Sequence, residues 1–192
     1  ASDREWVVRL PALSAGLLCL PLVYLYARLM YSRPGAMMAL AWLAVSPPFV
    51  DMSTNARGYT MVVACGLISH IAAYYILHRG YLTAAVLNAV AIGFGLIAVP
   101  VAVLFVASSV IWMGCLACSL CRQRQWRAPR GWLGAGSVCL GLLLAMAGYL
   151  PMLVIMGPKW LVANDWVRPL AWGAFIQSLP SALLDFARYN NF

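Results

Sequence analysis

Hydrophobic residues run through this chain in long, nearly unbroken blocks separated by short polar joints. Six blocks approach the ~20 residues that carry a helix across a bilayer: 10–31, 35–50, 59–77, 81–99, 101–120 and 132–156. The second is short, so it is expected to tilt or to carry its Pro47-Pro48 end beyond the hydrocarbon. As one helix, 81–120 would run about 60 Å, twice the hydrocarbon thickness. The break belongs near Pro100, which has no N–H and disfavours helix in the residue before it. After Met156 the pattern changes. Residues 157–164 form a polar, turn-rich exit, and 166–189 mix Leu170, Phe175, Ile176, Leu179, Leu183, Leu184 and Phe186 with Arg168, Gln177, Asp185 and Arg188. With Pro180 inside, this stretch predicts two short amphipathic helices on the membrane surface rather than a seventh span. Trp160, Trp166 and Trp172 suit a headgroup-level belt. The expected fold is an all-α polytopic membrane helix bundle of about six transmembrane helices over 1–156, followed by an interfacial segment over 157–192.

Composition agrees. The 192 residues are 64% hydrophobic and 9% charged, with mean hydropathy +0.85. A water-facing domain carries about a quarter charged residues, so a soluble fold is excluded. The net charge of +8 would suggest nucleic acid in a soluble protein. Here the cations sit in short joints between apolar blocks, where they orient the chain and touch membrane lipids, so no nucleic-acid partner is expected.

The joints alternate in charge. Arg28, Arg33, Arg79, Arg122, Arg124, Arg127 and Arg130 fall in three joints on one side if there are six spans; all five acids, Asp3, Glu5, Asp51, Asp165 and Asp185, fall on the other. The positive-inside rule puts the arginines in the cytoplasm and both ends of this chain outside, as expected of a multi-pass membrane protein. The cores of the blocks carry no charge, which argues against an ion path. No secretory-signal pattern opens the chain. It begins within a polar segment, so it is expected to be a piece of a longer protein.

Candidate chemistry narrows quickly. Cys115, Cys118 and Cys121 form C-x2-C-x2-C but lack a fourth ligand nearby, so they read as small packing residues, and no metal site is assigned. His70 lies within a block and reads as a packed, hydrogen-bonded side chain; His78 reads as an interfacial anchor. The segment 46–59 holds the informative residues. Arg57 directly precedes an apolar block on the side that should lack arginine. Two readings stand on physics alone: a snorkelling arginine with Tyr59 as aromatic anchor, or a guanidinium that meets an anion at the membrane surface.

Ser46-Pro47 followed by Ala56-Arg57-Gly58-Tyr59 resembles the SP…EARxY loop of the bacterial GT-C superfamily glycosyltransferases, in the family of protein mannosyltransferases and aminoarabinose transferases. Glu5-Trp6 through Arg9-Leu10-Pro11 is similar to that family's entry into its second span, and Leu179-Pro180-Ser181 to its later outer segment. The resemblance implies transfer of a sugar from a polyprenyl-phosphate donor to a lipid, protein or glycan acceptor outside the cytoplasm. It places Arg57 and Tyr59 near the donor phosphate. Asn55 stands where the family has an acid, which leaves Asp51 and Asn55 as auxiliary candidates. A divalent metal is an open cofactor. The family's first span and main catalytic acid are expected upstream of residue 1, so this piece alone should be inactive. A transporter or lipid flippase subunit is the alternative; it predicts an internal repeat, and none is evident.

Overall fold

The computed structural model describes residues 5–55, 58–125, 127–157, 173 and 177–181. The described residues are helical apart from short joints: α1 (Glu5–Met30), α2 (Arg33–Ala44), α3 (Pro47–Thr54), α4 (Tyr59–Arg79), α5 (Leu82–Ala98), a 3-10 turn at Pro100–Ala102, α6 (Val103–Arg122) and α7 (Ala128–Met156). The chain packs as two units, 1–150 and 151–192. In the second, residues 173 and 177–181 are helical beyond α7. The surface helices expected over 166–189 otherwise lie outside the described residues, as do Trp160, Trp166 and Trp172.

Among the described residues four helices are long and apolar enough to cross a membrane, Val7–Met30, Tyr59–Arg79, Pro100–Arg122 and Ala128–Ile155, and α2 with α3 would make a fifth. α5 has 17 residues, about 25 Å of helix against about 30 Å of hydrocarbon. An expectation of six therefore stands at four or five by length and composition, with α5 short of the mark. α1 continues past Pro11 and Pro21; helices in apolar surroundings tolerate such gaps when neighbours meet the freed groups.

Two details of segment 35–59 differ from the sequence expectation. The block 35–50 is not one helix: α2 and α3 meet at 58°. Pro47 and Pro48 begin α3, where a missing N–H costs nothing, and Ser46 before them is extended (φ −69°, ψ 113°). The joint 46–59 is also not all loop, since Pro47–Thr54 is helical. α3 docks on α1 at Gly16, where a methyl group would come within 2.7 Å of Ser53 Cβ. Glycine at 16 is what lets α3 lie back on the bundle.

Helix directions follow from the pairings. Thr60 Oγ1 donates to the Ala12 carbonyl at 2.8 Å and Tyr26 meets His70 edge-on at 5.6 Å, so α1 and α4 run parallel. α5 returns after a left-handed turn at Gly80 (φ 72°). Pro100 breaks the next stretch as expected, with Val99 extended (φ −152°). A helix continuing through position 100 would satisfy the Leu96 carbonyl with that residue's N–H, which proline lacks. Tyr149 Oη of α7 supplies the hydrogen instead, at 2.7 Å. At the other end Arg130 Nη1 donates to the Leu77 carbonyl at 3.3 Å, a cation at the C-terminus of α4.

Glycines bring α5 and α7 close. A methyl at Gly141 would meet Ile92 Cβ at 2.7 Å, and one at Gly93 would meet the Gly141 carbonyl at 3.2 Å, the small-residue packing used where lipid removes the hydrophobic drive between helices. A buried polar chain then links four helices. Ser69 of α4 donates to Asn88 Oδ1 of α5 at 2.6 Å, and Asn88 Nδ2 donates to Ser137 Oγ of α7 at 2.8 Å. Ser137 donates to the Gly134 carbonyl at 2.7 Å. Ser109 Oγ of α6 lies 3.0 Å from Ser69 Oγ; because the Ser69 proton goes to Asn88, Ser109 supplies the hydrogen here. His70 Nδ1 lies 2.7 Å from the Gly66 carbonyl, so that nitrogen carries the proton. Asn88→Ala should destabilise the protein by about 1–2 kcal/mol in reversible detergent denaturation, whereas Asn55→Ala, at an exposed position, should stay within about 0.5 kcal/mol.

Candidate functional site

The joint between α3 and α4 is shaped by one residue. Gly58 is left-handed (φ 70°) and opens α4, a conformation that costs other residues about 1–2 kcal/mol. Its space is filled as well: a methyl there would sit 3.3 Å from Val99 Cγ2. Gly58 brings no capping side chain, so the first-turn amides of α4 and the positive end of its dipole arrive at this joint without a side-chain acceptor from the cap. Beside it, Tyr59 is 37% exposed.

An apolar groove starts here and runs down the bundle between α1, α4 and α5. Its upper part, about 400 Å³, is lined by Val8, Pro11, Gly58, Met61, Phe94 and Ala98 among others. The lower part, about 500 Å³, shares Pro11, Met61 and Phe94 and continues past Ala15, Ala64 and Leu87. Alanines on α1 and α4 make the room. The groove is open sideways, because its α5 wall is half exposed, with Val90 at 51% and Phe94 at 53%.

Of the residues the sequence singled out, Arg57 lies outside the described residues. Ala56 lies outside them too, but Asn55 caps the end of α3, and Gly58 packs against Val99. Arg130, from the four-arginine joint, instead reaches the Leu77–Gly80 end of α4. The two joints therefore occupy opposite ends of a 21-residue helix. Asp51 and Asn55 are exposed, and the Asn55 N–H bonds the Asp51 carbonyl at 3.1 Å. Among the described residues no three His, Cys, Asp or Glu side chains converge. Asp51 alone is too small a donor set for a hard divalent ion, which takes about six oxygens. Cys115, Cys118 and Cys121 are exposed on α6.

Sequence reasoning missed the groove, because its lining is alanine, proline and ordinary apolar residues with no chemical signature. It missed Asn88 too, although an amide in the middle of an apolar block was a visible signal.

The bundle defines a multi-pass, all-α membrane protein with a lateral apolar groove ending at a glycine turn. Residues 1–171 match the dolichyl-phosphate-mannose-protein mannosyltransferase family. The chain belongs to that family of membrane glycosyltransferases. No curated protein and no solved structure matches it. Replacing Gly58 with alanine should cost about 1–2 kcal/mol, read as a lowered melting temperature, and Gly114→Ala, in the interior of α6 where a methyl would meet nothing within 4 Å, should not lower it.

Proposed function

We propose that the full-length protein transfers a sugar from a polyprenyl-phosphate donor to a lipid, protein or glycan acceptor on the extracytoplasmic side of the bacterial inner membrane. The observation that carries this reading is the continuity between the lateral groove and the Gly58 joint. A prenyl chain needs an apolar channel that it can enter from the bilayer, and the groove offers one along α1, α4 and α5. The donor phosphate then belongs at the groove's upper end. There Arg57 supplies the guanidinium, the α4 N-terminus supplies amide donors, and Tyr59 braces the turn.

Such a site suits glycosyl transfer because negative charge grows on the phosphate oxygens as the sugar leaves. Fixed donors aimed at those oxygens stabilise the transition state more than the ground state. The acceptor hydroxyl also needs a base within hydrogen-bond reach. Asp51, exposed on α3, is the auxiliary carboxylate of this segment and Asn55 its polar neighbour; the main acid is assigned to the first outer loop of the full-length enzyme.

Incubating full-length protein with radiolabelled polyprenyl-phosphate sugars tests the proposal. Arg57→Ala should slow transfer about 10- to 100-fold, the worth of one charge-assisted hydrogen bond, with folding intact. Undiminished transfer removes Arg57 from the site. Ala15→Trp, which fills the groove, should raise KM for long-chain donors more than for a short-chain donor; equal effects on both would detach the groove from the donor chain. For sidedness, a cysteine placed at Asn55 should react with an impermeant thiol reagent from outside and one at Gln125 should not.

A further inference from the structure

Glycosyl transfer leaves the arginine end of the bundle unused. α6 closes at Arg122 in a Schellman turn: the Gln125 N–H donates to the Leu120 carbonyl at 2.9 Å and the Arg124 N–H to that of Cys121 at 3.0 Å. The residue that closes such a turn must be left-handed, and Arg124 has φ 56°. Glycine usually takes this position, as Gly80 does at the end of α4 with φ 72°. Among the described residues Arg124 is the one non-glycine with positive φ. A long cation thus stands where a turn alone would favour a residue without a side chain.

Arg124, Gln125, Arg127 and Arg130 line one hollow of about 580 Å³. Arg130 is fixed at its base by the bond to the Leu77 carbonyl, and its stem crosses Gly80, where a methyl would come within 3.5 Å of Cγ. The three like charges have no carboxylate near them in sequence, since none occurs between Asp51 and Asp165. Asp51 belongs to the opposite end. The first turn of α7 holds no acid either and adds its positive dipole end. Guanidiniums crowded into one hollow repel each other until an anion joins them, and their flat forks match phosphate oxygens. Two residues beyond Arg130, Trp132 is 79% exposed, an aromatic ring suited to headgroup level.

We propose that Arg124, Arg127 and Arg130 form a binding site for the phosphate of an anionic membrane-lipid headgroup, at the end of the bundle away from the groove. A soluble phosphate compound offers the same oxygens, so the test separates the two sources. Full-length protein in detergent is titrated with phosphatidylglycerol, with phosphatidylcholine and, separately, with inorganic pyrophosphate, and bound ligand is counted by native mass spectrometry. Wild type should prefer phosphatidylglycerol. Arg124→Gly should weaken that preference about fivefold and Arg124→Gly with Arg127→Gln roughly 25-fold. Glycine suits the left-handed turn, so the single variant should melt no lower than wild type. Arg33→Gln, which removes a cation at the same end, the first residue of α2, should change nothing. The site is overturned if the preference survives both arginine changes, or if Arg33→Gln reduces it equally, because diffuse charge would then account for it. Arginine-dependent binding of pyrophosphate without any preference for phosphatidylglycerol would overturn the lipid source.

Discussion

Inside hydrocarbon a backbone carbonyl has no water to turn to, so each break in a helix must be repaired by the protein itself. This constraint organises the bundle. Pro100 frees the Leu96 carbonyl, and Tyr149 reaches across from α7 to take it. The end of α4 frees the Leu77 carbonyl, and Arg130 reaches it from the start of the same helix α7. The two repairs fasten α7 to the α4–α5 pair at opposite ends. Between them the chain from Ser69 through Asn88 to Ser137 fixes the rotation of each helix about its axis. Apolar faces alone would not specify that rotation, because lipid tails are as good a neighbour for leucine as another helix is.

Much of this organisation is legible in the sequence because helical spans obey a length rule. Block ends fall close to the observed helix ends, and Pro100 breaks the 81–120 stretch where a proline must. Less legible was how a proline pair acts when it opens a helix. Pro47-Pro48 ends α2 by disfavouring helix at Ser46 and at once starts α3, so one predicted span became two helices meeting at 58°. The groove was out of reach for a different reason. It arises from how α1, α4 and α5 diverge, which depends on contacts such as Thr60 to Ala12, distant in sequence. Asn88 could have been noticed, since a lone amide in an apolar block must find partners.

The candidate site combines both kinds of information. Gly58 is visible as a glycine before a span, but only its left-handed backbone and its contact with Val99 explain why no other residue serves there. That geometry fixes the direction in which the chain leaves α3 and enters α4. It also brings the joint to the head of an apolar groove. Family membership supplies the reaction class, and the structure supplies the lateral groove that the proposed lipid-linked donor would enter.

The open flank of the groove, with Val90 and Phe94 half uncovered, bears on how any occupant would be supplied. Entry from the side makes the search two-dimensional, so occupancy answers to mole fraction within the leaflet rather than to molarity in the aqueous phase. Adding detergent or inert lipid would then dilute such an occupant even while its nominal concentration in the tube stayed constant.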